Sequence, residues 1–188
     1  MDIKKYMETA YKTACRNGFH DEEKPMAHWL MLVITEVSEA VEADRKRRHA
    51  NVAMFERERE RKQAPGHVTA HWRFCFELFI KDTVADEFAD VCIRLFDFAA
   101  TFGFELEEMD LNLLFERYVE KYGDKSFTQK AFELCELLTE ENPDVTTVQI
   151  AVAFMQCWAK HEGINLEWHI EQKMKYNKLR SRMHCKQY

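Results

Sequence analysis

Five glycines and three prolines are all that punctuate 188 residues. A strand-rich fold needs a tight turn about every 8–12 residues, and glycine and proline supply most of them. This chain has too few of either for such a fold. Leu, Glu, Lys, Ala and Met, all good helix formers, are plentiful. The expected fold is therefore all-α, a helical bundle in a single domain over residues 1–188.

The net charge of −6 argues against a general nucleic-acid binder. The opening Met1-Asp2-Ile3-Lys4-Lys5 lacks the apolar segment of a signal peptide, and no apolar run reaches membrane-spanning length. Cys15, Cys75, Cys92, Cys135, Cys157 and Cys185 form no CxxC pair. Several sit in apolar stretches, which suits buried free thiols in a reducing compartment. The expected setting is cytoplasmic, with no membrane and no nucleic acid as partner.

Apolar positions at helical spacing run through residues 2–17 and stop at Gly18. A second helix opens near Pro25 and becomes charged from Glu42 onward. Residues at about 45–70 read as an exposed charged insertion. Trp72, Phe74, Phe76, Leu78 and Ile80 alternate with other residues, which predicts a short strand or extended segment. Thr83 or Asp82 caps the next helix, with Asp86 in a capping-box-like position, and this helix runs to Gly103. Helices are expected at about 107–121, 127–140 and 144–161. A last one starts near Leu166, capped by Asn165, and fades into a basic tail after Arg180.

Two acidic pairs carry the chemistry: Glu36-Val-Ser-Glu39 and Glu87-Phe-Ala-Asp90. Spacing of i,i+3 puts both carboxylates of a pair on one helical face, where like charges repel unless a cation sits between them. Two such helices packed face to face converge four carboxylates, a hard-cation site suited to Mg²⁺ and a phosphate-bearing substrate. The alternative is a solvated acidic face. That alternative fits Glu42 better than the pairs, and it fits Asp90 worst, since Phe88, Ala89, Val91 and Ile93 all favour the core.

Ile34-Thr35-Glu36-Val37-Ser38-Glu39-Ala40, followed by Asp86-Glu87-Phe88-Ala89-Asp90-Val91-Cys92-Ile93-Arg94-Leu95-Phe96-Asp97, resembles the MazG-like all-α nucleoside triphosphate pyrophosphohydrolases. The match covers about residues 25–100. It implies Mg²⁺, with Mn²⁺ as a substitute, held by Glu36, Glu39, Glu87 and Asp90. It also implies attack of water on the α-phosphorus, giving monophosphate and pyrophosphate, with Glu36 or Glu39 taking the proton. Lys173, Asn177 and Arg180, spaced by four and three, resemble the segment that closes the substrate site in relatives. The two cations would meet the phosphate tail and Asn177 phosphate or sugar. Relatives assemble as dimers or tetramers, so a homodimer or homotetramer is expected.

The chain departs from the family pattern in three places. Thr35 stands where many relatives have a further acid, 47 residues separate the acidic pairs, and the helices at about 126–162 are additions to the minimal core. Rival readings are a dUTPase, dCTPase or phosphoribosyl-ATP pyrophosphohydrolase on the same fold, or a non-catalytic helical interaction module. Arg94 and Asp97, at i,i+3, are expected to form a structural ion pair. Arg45-Lys46-Arg47-Arg48 reads as a solvated helix end.

Overall fold

The computed structural model describes residues 1–61, 66–140 and 143–180. Pro65, Asn142, Cys185 and the basic tail beyond Arg180 lie outside the described residues. Nine helices form among those described, and no strand does. They are α1 (Ile3–Arg16), α2 (Met26–Arg45), α3 (Val52–Arg59), α4 (Val68–Phe79), α5 (Val84–Thr101), α6 (Leu111–Tyr122), α7 (Phe127–Leu138), α8 (Val145–His161) and α9 (Leu166–Asn177). The all-α expectation holds, and no helix is long and apolar enough to cross a membrane.

Helix α5 is the axis of the bundle. Thirteen of its 18 residues are buried, and α1, α2, α8 and α9 pack around it. Phe88 stacks on Phe127 before α7 continues, with ring centroids 5.8 Å apart, and tilts against Trp158 of α8 at 4.7 Å. Val33 of α2, Leu95 and Phe96 of α5 and Ile170 of α9 are fully enclosed. Each such side chain contributes roughly 1.5–3 kcal/mol of transfer free energy, so most of the fold's cohesion converges on α5.

The ends of α1, α2, α5 and α8 follow one device. Gly18 (φ 87), Gly103 (φ 69) and Gly163 (φ 70) take the left-handed conformation after α1, α5 and α8. The next N–H then donates back into the helix, from Phe19 to Ala14, Phe104 to Ala99 and Ile164 to Ala159. The end of α2 is the exception in residue type. Arg48 N–H donates to the Ala43 carbonyl at 2.9 Å, but the left-handed position belongs to Arg47, at φ 54.

The expected strand at residues 72–80 is instead part of helix α4. Trp72, Cys75 and Phe76, at i, i+3 and i+4, bury against Phe55 of α3 and Tyr176 of α9 in a second apolar cluster. Phe74 and Leu78, the alternate members of the apparent period of two, are each 59% exposed. The alternation arose because α4 carries apolar residues on its outer face as well. The charged insertion is likewise partly ordered as α3, anchored by the fully buried Phe55.

Two stability predictions follow from these observations. Replacing Arg47 by glycine removes the left-handed strain and should raise unfolding free energy by about 0.5–1 kcal/mol in urea melts. His169 of α9 is buried, and burial holds its imidazole down to about 4 from 6.5. The folded state therefore resists a proton that the unfolded state accepts. This stability is complete above pH 6.5 and declines as pH falls toward 4, by about 2 kcal/mol at pH 5. His169→Gln should flatten that part of the stability–pH curve.

Candidate functional site

A cleft of about 280 Å³ lies between α1, α2, α5 and α9. Glu36, Glu39, Glu87, Asp90, Lys173, Asn177 and Arg180 all line it. The seven residues singled out from sequence thus come from three separate stretches of chain to one place. Arg180 does so from beyond the end of α9, at Asn177, rather than from the helix itself. The opposite wall is small and apolar, formed by Ala10 and Ala14 of α1 and by Phe19. Of the aromatic residues, Phe19 faces the cleft, whereas Trp29 and Trp72 are buried in the two cores.

Glu36, Glu39 and Glu87 each bring a carboxylate oxygen within 4.8 Å of the others. Such a set could hold a metal ion. Burial, reinforced by Asp90, pushes the Glu87 carboxyl up to about 9. Burial and Asp90 also raise Glu36, while Arg94 works in the opposite direction. Crowded, desolvated carboxylates resist ionising together, and a cation among them relieves that resistance. Glu39 is exposed to the cleft and makes no hydrogen bond or ion pair with any described residue.

Asp90 is engaged elsewhere. Its Oδ2 lies 2.6 Å from Lys173 Nζ, and Asp86 Oδ2 lies 2.6 Å from the same ammonium. Lys173 and Asp86 are buried, with side-chain exposures of 4% and 1%. Burial opposes charge on Lys173, but Asp86, Asp90 and Glu87 outweigh it and hold the ammonium above its ordinary value. Burial raises Asp86 to about 6 despite Lys173. Asn177, one turn after Lys173, is buried, and its carboxamide oxygen has no partner among the described residues. An orphaned buried acceptor in a cleft wall is suited to receive a ligand's hydrogen.

The expected Arg94–Asp97 pair does not form. Arg94 Nε donates to Glu36 Oε1 at 3.1 Å, and Asp97 Oδ1 lies 2.9 Å from His20 Nε2. Arg94 faces α2 and Asp97 faces the turn after α1, so partners distant in the chain displace the one along α5. Sequence reasoning also misses Asp86 as a site residue, assigning it only to a helix cap. The Thr83 hydroxyl does accept from Asp86 N–H at 3.4 Å, but the Asp86 carboxylate accepts from Asp82 N–H and Lys173. The available signal is its place among Val84, Ala85 and Phe88, four residues before Asp90.

Lys173→Met should lower stability by about 3–5 kcal/mol in metal-free urea unfolding, because it leaves two carboxylates without their counter-ion. Adding Asp86→Asn to that variant should recover part of the loss, and the double-mutant cycle measures the coupling. No protein-family model matches this chain, and no curated protein or solved structure matches it either, so the functional reading rests on the chemistry of the cleft itself.

Proposed function

We propose that the protein is a nucleoside triphosphate pyrophosphohydrolase dependent on Mg²⁺, with Mn²⁺ as a substitute. The observation that carries this reading is the convergence of the Glu36, Glu39 and Glu87 oxygens within 4.8 Å, in a cleft that also holds the unpartnered Asn177. Its donor set is all carboxylate oxygen, which fits a hard divalent cation. Asp90, in the same cleft but paired to Lys173, would join the set as a fourth carboxylate.

A bound divalent cation would offset the negative charge of the substrate's phosphates and act as a Lewis acid. The chain's own residues do the rest. Arg94 holds Glu36 in place through its 3.1 Å bond. Glu39, without a partner of its own, is positioned to take a proton from water. As that proton leaves, the water oxygen bonds to the α-phosphorus. The bond from phosphorus to the α–β bridging oxygen breaks, and pyrophosphate departs with the electron pair. The buried Asn177 carboxamide oxygen can accept from a sugar hydroxyl, and the apolar wall around Ala10, Ala14 and Phe19 offers a surface to the base.

A cytoplasmic setting and a homodimer or homotetramer belong to the same reading. Free thiols at Cys15, Cys75, Cys92, Cys135 and Cys157 support the first. The exposed apolar Phe132, Phe74 and Leu78 support the second. A non-catalytic interaction module is the rival. Thr35 favours it, because its hydroxyl donates to the Met31 carbonyl at 2.9 Å and adds no acid to the cluster.

Pyrophosphate release from a panel of NTPs and dNTPs, dUTP and dCTP included, tests the proposal. Wild-type turnover should fall by about 10²-fold or more in Glu39→Ala and in Asp90→Ala. Mg²⁺ should raise the wild-type melting temperature and do so less in either variant. Turnover that survives both substitutions removes the acids from the mechanism. A Mg²⁺-dependent thermal shift with no turnover on any nucleotide selects the module instead.

A further inference from the structure

A smaller cleft of about 180 Å³ adjoins the first at the C-terminal end of α2. The two share Glu39, Asp82 and Glu87, so the acid cluster stands at their junction. Lys46 and Arg48 line the smaller cleft. Helical side chains lean toward the N-terminus, and Lys46 leans back along α2 to Glu42 Oε1 at 2.8 Å, in the direction of Glu39. Arg48 is fixed at its backbone and uncommitted at its head. Its N–H donates to the Ala43 carbonyl, and its carbonyl accepts from Val84 N–H at 3.0 Å, at the first residue of α5. Its guanidinium forms no ion pair with any described residue.

Two further facts bear on this cleft. Of the two non-glycine residues with positive φ among those described, Asp82 lines this cleft, and Arg47 is the chain neighbour of Lys46 and Arg48, which line it. Strained backbone of this kind tends to persist where a site holds it. In the first cleft, by contrast, Lys173 is committed to Asp86 and Asp90. Arg48, whose charge reaches Glu42 without forming an ion pair, therefore competes with Lys173 for the role of neutralising the phosphate tail.

We propose that the Lys46–Arg48 cleft receives the β- and γ-phosphates of the substrate and holds the pyrophosphate after cleavage. This rests on the pyrophosphohydrolase reading. It orients the nucleotide, with the base end against α1 and Phe19, the α-phosphorus at the acid cluster, and the polyphosphate end directed along α2 toward its C-terminus. Lys46 exchanges Glu42 for a phosphate oxygen, and Arg48 offers the forked donors that suit phosphate.

Calorimetric titration of inorganic pyrophosphate with Mg²⁺ into the full chain tests it directly, without turnover. Wild type should bind, and a Lys46→Met, Arg48→Met double variant should bind about tenfold or more weakly. A Lys46→Arg variant, which keeps both charges and the Arg48 fork, should stay within about threefold. Nucleoside monophosphate affinity should be the same in all three, and matching thermal melts confirm intact folding. Equal pyrophosphate affinity in wild type and the methionine variant overturns the proposal. So does equal weakening of monophosphate, or no pyrophosphate binding by wild type. The nucleotide panel judges the parent reading separately. Turnover lost in Glu39→Ala but with pyrophosphate affinity indifferent to Lys46 and Arg48 keeps the hydrolase and discards this cleft. Pyrophosphate binding that depends on the two cations, without turnover of any nucleotide, keeps the anion site and discards the hydrolase.

Discussion

One ammonium group, buried between two aspartates, joins the last helix to the central one. Lys173 of α9 meets Asp86 and Asp90 of α5 at 2.6 Å each, with Lys173 and Asp86 buried and Asp90 opening onto the cleft. Isolated charges at that depth are costly to desolvate, and the three tolerate it only together. Because the partners are one helical turn apart on α5, the lysine fixes both the rotation and the axial position of α9. That places Asn177, one turn further along α9, in the wall of the acid cleft. Apolar packing and tyrosine hydrogen bonds to α1 and α4 also hold α9, and the ion triplet adds a charged contact that ties it directly to α5.

Helix α5 has to serve two ends at once. Its apolar residues organise most of the core, while Asp86, Glu87 and Asp90 crowd negative charge into its first turns. Acidic residues near a helix N-terminus are favoured by the dipole, which eases part of the burden. The remainder is met by Lys173 on one side and Arg94 on the other. Arg94 reaches across to Glu36 and lies 5.3 Å from the Phe19 ring, so it links the acid cluster to the apolar wall. The cleft is therefore a place where packing, ion pairing and residual charge repulsion are balanced.

Much of this arrangement was legible from local signals. Gly18, Gly103 and Gly163 end helices because few other residues take a positive φ without strain, and that preference is visible in sequence. The acid pairs were legible because i,i+3 carboxylates amid core-forming residues contradict ordinary burial. The rest depends on partners distant in the chain. Trp72–Ile80 read as extended because Phe74 and Leu78 are apolar yet exposed, and periodicity cannot tell an outward apolar residue from a buried one. Arg94 and Asp97 found Glu36 and His20 because their interhelical neighbours were unknown from sequence. Asp86 hid behind a cap position that it does in part occupy.

The excursion between the acidic pairs begins and ends at a narrow neck. Arg48 is bonded to Val84, and Asn51 N–H donates to the Phe79 carbonyl at 2.9 Å, so the outgoing and returning strands of backbone are clasped side by side. Such a neck works as a splice point. Closure entropy grows only with the logarithm of loop length, by about 0.6 kcal/mol per doubling. Chain can therefore be added between α3 and α4, whose apolar faces pack with Tyr176 of α9, while Glu39 and Glu87 keep their separation. For a protein built this way, the number of residues between two acidic motifs carries almost no information about the distance between their side chains.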